Sequence, residues 1–258
     1  MQQRTDGPAA LVTGGVNQVV RARVHWCVGT FSSGSTWLLN ALRQVAILVD
    51  PTTRIVSPFL GRAEQIPALD DPNLLALLKS HHTDEETAAF LERHSRVIWV
   101  TIRDPRDSVA SLVTYHRWPF RRALNATARS AGFSAAVMAN QDTVALRYED
   151  GFIDHPETLD RFAQRLNATL SADERSAVFS ETRRPAIEAF IARLPTLPAL
   201  NCPEPGHLID PITHWHSHHA NRTGEIGRWR RELTREQARE IEERLADWMD
   251  AHGYRRSI

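Results

Sequence analysis

The chain has 258 residues with 31 basic and 31 acidic side chains, so its formal net charge is zero. Balanced charge supplies no global field for nucleic acid or an anionic membrane, and we expect small-molecule partners and no nucleic acid. No apolar run reaches the ~18 residues of a membrane span, and residues 1–23 lack the pattern of a secretory signal, so a cytoplasmic protein is expected.

The cysteine count and the absence of a linker bear on domain organisation. The two cysteines, Cys27 and Cys202, are too few for a disulfide framework and are predicted to be free thiols. No Pro-, Gly- or Ser-rich linker divides the chain, whose length suffices for one large α/β domain. We therefore predict an N-terminal extension over residues 1–22 and a single domain over residues 23–258.

The first predicted element is a strand over residues 23–28, followed by a small-residue loop and a helix over residues 35–45. Backbone N–H groups in such a loop, with the helix N-terminus behind them, form an anion site. Gly29 and Gly34 have the spacing of the phosphate-binding P-loop, but Ser35 stands in place of the P-loop lysine. On this pattern alone, an ordinary tight strand-to-helix connection is an equally good interpretation.

The remaining elements alternate along the chain. Residues 51–72 contain four prolines and are predicted to form a loop. Strands are predicted at 75–79, 96–102 and 143–148, and helices at 84–94, 105–115, 123–140, 156–167, 172–179, 185–194 and 234–252. This alternation of strands and helices predicts a parallel sheet.

A second candidate anion-binding element follows the apolar strand 96–102. Asp104 and Pro105 are typical of the N-cap and first residue of a helix, which places Arg103 at the carboxyl end of a central strand. Open α/β sheets bind ligands at that edge, and a guanidinium there offers forked donors to phosphate. Ser111 falls on the same helical stripe as Asp104. The alternative is that Arg103 pairs with Asp107 and that Ser111 merely packs.

Several segments resemble, in chain order, the motifs of the sulfotransferases that use 3′-phosphoadenosine 5′-phosphosulfate (PAPS). Residues 30–37 are similar to the family's 5′-phosphosulfate loop, residues 79–81 to its Lys-Thr-His segment, and residues 103–111 to its 3′-phosphate motif. Residues 148–150 resemble its Tyr-Glu-Asp segment, and residues 222–229 resemble its nucleotide-closing loop. The resemblance covers residues 23–233 and implies a three-layer, P-loop-type α/β fold with a central parallel sheet flanked by helices.

The resemblance also implies a reaction and a set of residues for it. The reaction is sulfuryl transfer from PAPS to a hydroxyl or amine of a small-molecule acceptor, with no metal required. His81 is the expected general base, and Lys79 and Ser32 are the expected catalytic residues on the leaving-group side. The expected nucleotide-binding residues, with Trp37 stacked on adenine, are Ser32, Ser33, Gly34, Ser35, Thr36, Trp37, Arg103, Ser111, Tyr148, Arg222, Thr223 and Gly224.

The sequence departs from the family pattern at charged positions. Ser32 stands where the family has its loop lysine, and losing one preorganised donor of this kind typically costs about 10²–10³ in rate. Lys79 is the nearest candidate to compensate. Thr223 and Arg228 replace a lysine and an aspartate of the closing loop. The family's dimerisation pattern is barely visible in residues 230–239, so the oligomeric state is left open.

Alternative interpretations stay open on the residues alone. A surface histidine beside His82 would explain His81, and core packing would explain Trp37 and Tyr148. The glycine spacing would also fit a P-loop kinase or other NTPase, whereas Ser32 would fit a non-catalytic nucleotide-binding module. The histidines of residues 207–219 suggest a metal site, although a mobile gate over the nucleotide or acceptor is the favoured interpretation.

Overall fold

The structure, a computed structural model, describes residues 13–196, 208–217, 219 and 224–257. Its centre is a parallel sheet of five strands in the order β2-β3-β1-β4-β5. The strands are β1 (Arg23–Gly29), β2 (Arg54–Val56), β3 (Leu74–Ser80), β4 (Val97–Ile102) and β5 (Thr143–Arg147). The inner strands β1, β3 and β4 are buried along nearly their whole length, as expected for their continuous apolar runs.

Helices connect and cover these strands. They are α1 (Ser35–Val49), α2 (Glu85–His94), α3 (Pro105–Tyr115), α4 (Phe120–Asn140), α5 (Thr158–Arg165), α6 (Ala172–Thr182), α7 (Arg184–Ala192), α8 (Trp229–Glu232), α9 (Arg235–Arg244) and α10 (Ala246–Ala251). Asp104 caps α3 by accepting from the Arg106 N–H, and Pro105 is its first residue, as predicted.

Two apolar cores lie on opposite faces of the sheet. On β1, Val24, Trp26 and Val28 face the core shared with α4, α9 and α10. Cys27 faces the other core, which contains the apolar side of α1 together with α5, α6 and α7. The period-2 alternation of a strand thus separates two helical layers, and the predicted three-layer fold is confirmed.

Apart from the short, unpredicted helix α8, the structure differs from the predicted elements mainly in two places. The proline-rich stretch predicted as loop contains β2, which exists because Arg54–Val56 pairs in register with Leu74–Ala76. Three residues are too few for a sequence periodicity to reveal them. The tail predicted as one helix is divided at Leu245, whose backbone leaves the helical region between α9 and α10 while its side chain stays buried.

Residues 13–22 precede the sheet, whereas residues 1–12 of the predicted extension lie outside the described range. The backbone N–H groups of Arg21 and Ala22 donate to the Leu69 carbonyl at 2.7 and 2.9 Å, which ties this segment to the approach to β3. Among the described residues, no helix combines the length and the apolar character needed to cross a membrane.

Candidate nucleotide and acceptor site

The carboxyl ends of four neighbouring strands bring together four of the segments that contain predicted site residues. Across the sheet, β3 leads to Lys79 and His81, β1 leads to the loop 30–34, β4 leads to Arg103, and β5 leads to Tyr148. Because all strands are parallel, these four segments share one edge. This is the edge at which open α/β sheets bind ligands.

The loop after β1 has the backbone of a close-fitting anion cradle. Gly29 admits no side chain, because a Cβ there would lie 2.6 Å from the Ser35 Cβ and 2.7 Å from the Thr101 Oγ1. Gly34 has φ +86°, and Ser32 also adopts positive φ, at 58°. The Ser33 hydroxyl lies 2.7 Å from both the Thr30 carbonyl and the Thr101 Oγ1, which fixes the turn against β4.

The N-terminus of α1 opens toward this loop without a capping side chain. Its N-cap is Gly34, no side chain accepts from its first N–H groups, and its first turn contains no acidic residue. The helix has 15 residues, so the partial positive charge at its N-terminus is fully developed. Its first N–H groups, those of Ser35, Thr36 and Trp37, are therefore available to an anion.

Lys79 is the only lysine in the sequence, and it lies beside this helix terminus. Its Nζ donates to the Thr36 Oγ1 at 2.6 Å, and only 4% of the residue is exposed. Burial lowers the Lys79 pKa to about 8. Burial also raises the pKa of the adjacent Cys27 thiol to about 12, so this thiol is neutral and provides no counter-charge. No described carboxylate pairs with Lys79, and a buried cation without a partner is stabilised by an anionic ligand.

His81 lies just beyond β3 with one ring nitrogen engaged. Its Nδ1 is 2.6 Å from the Gly29 carbonyl, so Nδ1 carries the hydrogen and Nε2 keeps its lone pair. The ring packs 4.2 Å from the Phe31 centroid and 5.6 Å from the Phe59 centroid. Burial, and then the positive charge of Lys79, lower the His81 pKa to about 3. The imidazole is therefore neutral at physiological pH.

Arg103 connects the loop after β1 with the segment after residue 223. Its Nη1 donates to the Ser32 carbonyl at 3.2 Å, and its Nη2 donates to the Glu225 carbonyl at 2.9 Å. The guanidinium carbon lies 4.1 Å from the centroid of the Tyr148 ring. The Arg103 Nε is buried and has no described hydrogen-bond partner, which leaves one donor for a ligand.

Ser111 and Asp107 occupy the site-facing side of α3. The Ser32 hydroxyl donates to the Ser111 hydroxyl at 3.0 Å, so the loop and α3 meet as predicted. Asp107 lies 3.8 Å from Arg103, and the ion pair weighed as an alternative is therefore also present. Asp107 in addition accepts from the N–H groups of Gly227 and Trp229, at 2.7 and 3.0 Å, and so anchors the closing loop.

Gly224 begins the described part of the closing loop. Its carbonyl accepts from the Tyr148 hydroxyl at 3.1 Å, and a Cβ on Gly224 would lie 2.6 Å from that hydroxyl oxygen. Gly224 is therefore in contact with the Arg103–Tyr148 pair. The other two predicted residues of this loop, Arg222 and Thr223, lie outside the described residues.

Trp37 is 3% exposed and is packed on the α1 side of the site. Its Nε1 donates to the Thr182 carbonyl at 3.0 Å, and its ring contacts Phe152 and Phe162 with centroids 5.6 and 6.1 Å away. The core packing considered as an alternative is thus present. Adenine stacking on Trp37 stays a prediction.

The described part of the histidine-rich loop, residues 208–217, is docked rather than open. The His214 Nε2 donates to the Ser57 carbonyl at 2.6 Å, and the Thr213 carbonyl accepts from the Asn40 Nδ2 at 2.7 Å. Trp215 is 9% exposed. These contacts anchor residues 213 and 214 to Ser57 and Asn40, whereas a gate over the nucleotide or acceptor stays a prediction. Within the described residues, no group of three or more metal-ligating side chains comes together; His207 and His218 lie outside them.

Buried histidines should make the protein sensitive to acid. Burial lowers the pKa of His25 to about 4 and that of His214 to about 3. Below pH 6.5, the ordinary pKa of histidine, both side chains become protonated in the unfolded chain but stay neutral in the folded protein. The free energy of unfolding therefore decreases as pH falls from 6.5 toward 4. At pH 5 each of these two histidines lowers the free energy of unfolding by up to about 2 kcal/mol. Urea unfolding should show that His214→Gln loses less free energy of unfolding between pH 7 and pH 5 than the wild type does. His155 is exposed, and the control variant His155→Gln should lose as much as the wild type.

Sequence patterns assign no role to Thr101 and no individual role to Glu149 within the segment 148–150, and they indicate His214 only as part of the histidine cluster. Thr101 is the last but one residue of β4 and holds the Ser33 hydroxyl from the adjacent strand. The Glu149 carboxylate accepts from the Asp104 N–H at 2.8 Å, directly behind Arg103. These contacts join residues 45 to 157 positions apart. The only local signal was the position of Thr101 and Glu149 next to strand ends.

Comparisons with known proteins identify the fold through structure alone. No protein-family model matches the sequence, and no curated protein matches it significantly. The mouse sulfotransferase SULT7A1 complexed with PAP superposes with a TM-score of 0.64 at 14% identity, over 92% of this chain and 86% of that chain. PAP is 3′,5′-adenosine diphosphate, the nucleotide that remains when PAPS loses its sulfuryl group.

Retinol dehydratase gives a similar result. Its complex with retinol and PAP has a TM-score of 0.62 at 16% identity, over 91% of this chain and 83% of that chain. Its complex with androsterone and inactive cofactor PAP has a TM-score of 0.60 at 14% identity, over 91% and 82%. Together with the parallel sheet and the loop after β1, these likenesses show that the chain has the fold of the PAPS-dependent sulfotransferases.

Proposed function

We propose that the protein transfers the sulfuryl group of PAPS to a hydroxyl or amine of a small-molecule acceptor. The observation that carries this proposal is Lys79, a buried cation without a described counter-ion beside the uncapped N-terminus of α1. This terminus is joined to Arg103 and Ser111 through Ser32. One continuous site therefore offers positive charge at two places, as a nucleotide with phosphates at both ends of its ribose requires.

The residues present fit such a nucleotide. When bound, PAPS supplies the sulfuryl group and a phosphate that departs from it. The α1 N-terminus, with Ser33, Gly34, Ser35, Thr36 and Lys79, would hold the 5′ end. Arg103 through its free Nε, Ser111 and the closing-loop residues Arg222, Thr223 and Gly224 would hold the 3′-phosphate. Tyr148 and Trp37 would then lie along the adenosine.

Each end of the transfer needs a different residue. The His81 Nε2 is a neutral acceptor of the proton that leaves the attacking hydroxyl or amine, because Nδ1 donates to Gly29. Lys79 offsets the negative charge that develops on the departing phosphate, a task in which Ser32 contributes only a hydroxyl. An anion beside Lys79 also cancels the positive charge that lowers the His81 pKa, so donor binding makes His81 a stronger base.

The surroundings of His81 favour an acceptor with an apolar face. Phe31 packs against His81 on one side and lies 5.9 Å from Trp118. Phe59 contacts His81 as well and is 43% exposed, which is high for a side chain of this size. Retinol and androsterone, bound in the retinol dehydratase structures, are molecules of this apolar kind. We propose the same general chemistry for this acceptor.

A second candidate function is nucleotide binding without catalysis. It is favoured by Ser32, which leaves Lys79 as the only described cation in contact with the α1 N-terminus. Substitution of His81 separates the two candidates, because an enzyme loses donor turnover while a binding module has no turnover to lose.

Selective stabilisation by PAP tests the nucleotide. PAP at about 100 times its Kd should stabilise the folded protein by about 2.7 kcal/mol, which corresponds to a Tm rise of roughly 5–10 °C. ATP, which lacks a 3′-phosphate for Arg103, should raise the Tm much less. Differential scanning fluorimetry with both nucleotides measures this. An equal or larger shift with ATP and Mg²⁺ would instead support phosphoryl transfer.

A further inference from the structure

The C-terminal strap, residues 252–257, lies directly behind the proposed 3′-phosphate site. Tyr254 is 3% exposed, and its backbone N–H donates to the Met249 carbonyl at 2.8 Å. The Tyr254 ring stacks on Trp248 with a centroid distance of 5.5 Å. The guanidinium carbon of Arg147 lies over the Tyr254 ring, 4.1 Å from its centroid. The strap is therefore an ordered part of the fold that holds the Tyr254 hydroxyl in one place.

That hydroxyl leads to the backbone next to Arg103. Tyr254 donates to the Glu149 Oε2 at 2.9 Å, and the other carboxylate oxygen, Oε1, accepts from the Asp104 N–H at 2.8 Å. Arg147 adds a longer contact, 3.4 Å, to Oε2. One carboxylate thus links the strap to the corner where β4 becomes α3.

Glu149 is also the chain neighbour of Tyr148, whose ring lies against the Arg103 guanidinium. Arg103 and Tyr148 therefore face the site as a contacting pair, while the residues that follow them, Asp104 and Glu149, are hydrogen-bonded to each other behind it. The Glu149 carboxylate thus fixes the distance between the turn after β4, which contains Arg103, and the turn after β5, which contains Tyr148. The Asp104 N–H occupies only one of the carboxylate oxygens, and the Tyr254 hydroxyl makes the shorter of the two contacts to the other, at 2.9 Å against 3.4 Å for Arg147.

A second connection runs from the strap to the same corner. Ser257 donates through its N–H and hydroxyl to Glu242, which is 1% exposed. Glu242 accepts from the Arg106 Nη1 at 2.6 Å, and Arg106 in turn donates from Nη2 to the Asp104 Oδ2 at 2.6 Å. The strap thus holds Asp104 through its side chain as well as through its backbone.

We infer that Tyr254 is a positioning residue for recognition of the 3′-phosphate. By orienting Glu149, it fixes the backbone that carries Arg103 and Tyr148, and so aims the free Arg103 Nε at the phosphate. This inference rests on the proposed function, because it assumes a nucleotide with a 3′-phosphate. It assigns a role to a residue 105 positions away from its partner in sequence.

Tyr254→Phe tests this role, because it removes the hydroxyl and keeps the stacked ring. Isothermal titration should be performed with PAP and with adenosine 5′-phosphate, which differs in lacking the 3′-phosphate. We expect PAP affinity to fall about tenfold, the lower end of the range for a hydrogen bond to a charged group, and adenosine 5′-phosphate affinity to change less than twofold. Equal losses for both nucleotides would show a merely structural role, and unchanged PAP affinity would exclude positioning; either result overturns the inference.

Two further variants sharpen the experiment. Arg256→Ala lies in the same strap but removes only an exposed ion pair with Asp250, so it should leave both affinities unchanged. Glu149→Gln should give the same selective loss as Tyr254→Phe, and the double variant should lose little more, because both act through one carboxylate. A wild-type protein that fails to prefer PAP over adenosine 5′-phosphate would contradict the proposed function itself. A wild-type preference retained in Tyr254→Phe would contradict only the inference.

Discussion

Replacing Lys79 with methionine is expected to lower the rate of sulfuryl transfer about 10²–10³-fold, the usual cost of removing one preorganised charge from a developing anion. The effect should reach the upper part of this range because Ser32, at the family's lysine position, offers no second cation. The rate is measured as formation of PAP from PAPS in the presence of a panel of phenols and alcohols.

The same variant should be more stable than wild type at pH 7. The Lys79 pKa lies at about 8 instead of 10.5, so burying the charged amine costs the folded state about 3 kcal/mol. Methionine has a similar length and no charge. The substitution also removes the hydrogen bond from Lys79 to Thr36, which costs only about 1 kcal/mol and so offsets part of this gain. Urea unfolding with and without PAP provides the measurement. A methionine variant that keeps wild-type turnover would contradict the assignment of Lys79.

Because the chain has a single lysine, the Lys79 amine can be titrated directly. Amine acetylation followed by mass spectrometry of the peptide that contains Lys79 should show a midpoint near pH 8, since only the neutral amine reacts. Bound PAP should move this midpoint upward, because a nearby anion favours the charged form.

The double variant Lys79→Met with Ser32→Lys is expected to recover part of the rate lost in Lys79→Met. The recovery should be incomplete, because residue 32 has positive φ, a backbone conformation that lysine disfavours.

His81→Ala is expected to lower kcat about 10²–10⁴-fold, the usual contribution of a positioned general base. The affinity for PAP should change little, because the described contacts of His81 are with Gly29, Phe31 and Phe59. His82→Ala is the matched control, since His82 is the next residue and contacts Arg129 instead. Turnover that persists in His81→Ala at the level of His82→Ala would exclude His81 as the base.

The pH dependence of wild-type turnover follows from the two pKa values. A His81 pKa of about 3 keeps Nε2 unprotonated between about pH 3 and 6.5, so kcat/KM, which reports the free enzyme, should not fall as pH drops from 7 to 5.5 while the protein stays folded. A Lys79 pKa of about 8 means that the cation is lost above that pH, so kcat/KM should fall on the alkaline side. An acid limb near pH 6.5 would contradict the described environment of His81.

Much of the sheet and its edge could be predicted from local sequence. The continuous apolar runs of β1, β3 and β4 fix strands within one residue of their observed bounds, and Asp104 with Pro105 fixes the start of α3. Since parallel strands end at one edge, the predicted strand ends also bring Arg103 close to the loop after β1. The contacts of Ser32 with Ser111 and with Arg103 bear out that meeting.

What could not be predicted depends on contacts between distant segments. β2 exists only through its pairing with β3, and the docking of His214 depends on the Ser57 carbonyl, 157 positions away. The Tyr254 hydroxyl reaches Glu149 only because α9 and α10 pack with α4 on one face of the sheet. No periodicity or capping pattern in these segments carries such information, because each contact joins residues that are far apart in the chain.

A crystal structure of the protein with PAP tests the central claim most directly. We predict that the 5′-phosphate will lie on the N–H groups of Ser35 and Thr36 within reach of the Lys79 Nζ, and that the 3′-phosphate will lie on Arg103 and Ser111. Electron density for the nucleotide with its two phosphates in separate cavities, or with the 3′-phosphate away from Arg103, would contradict the account.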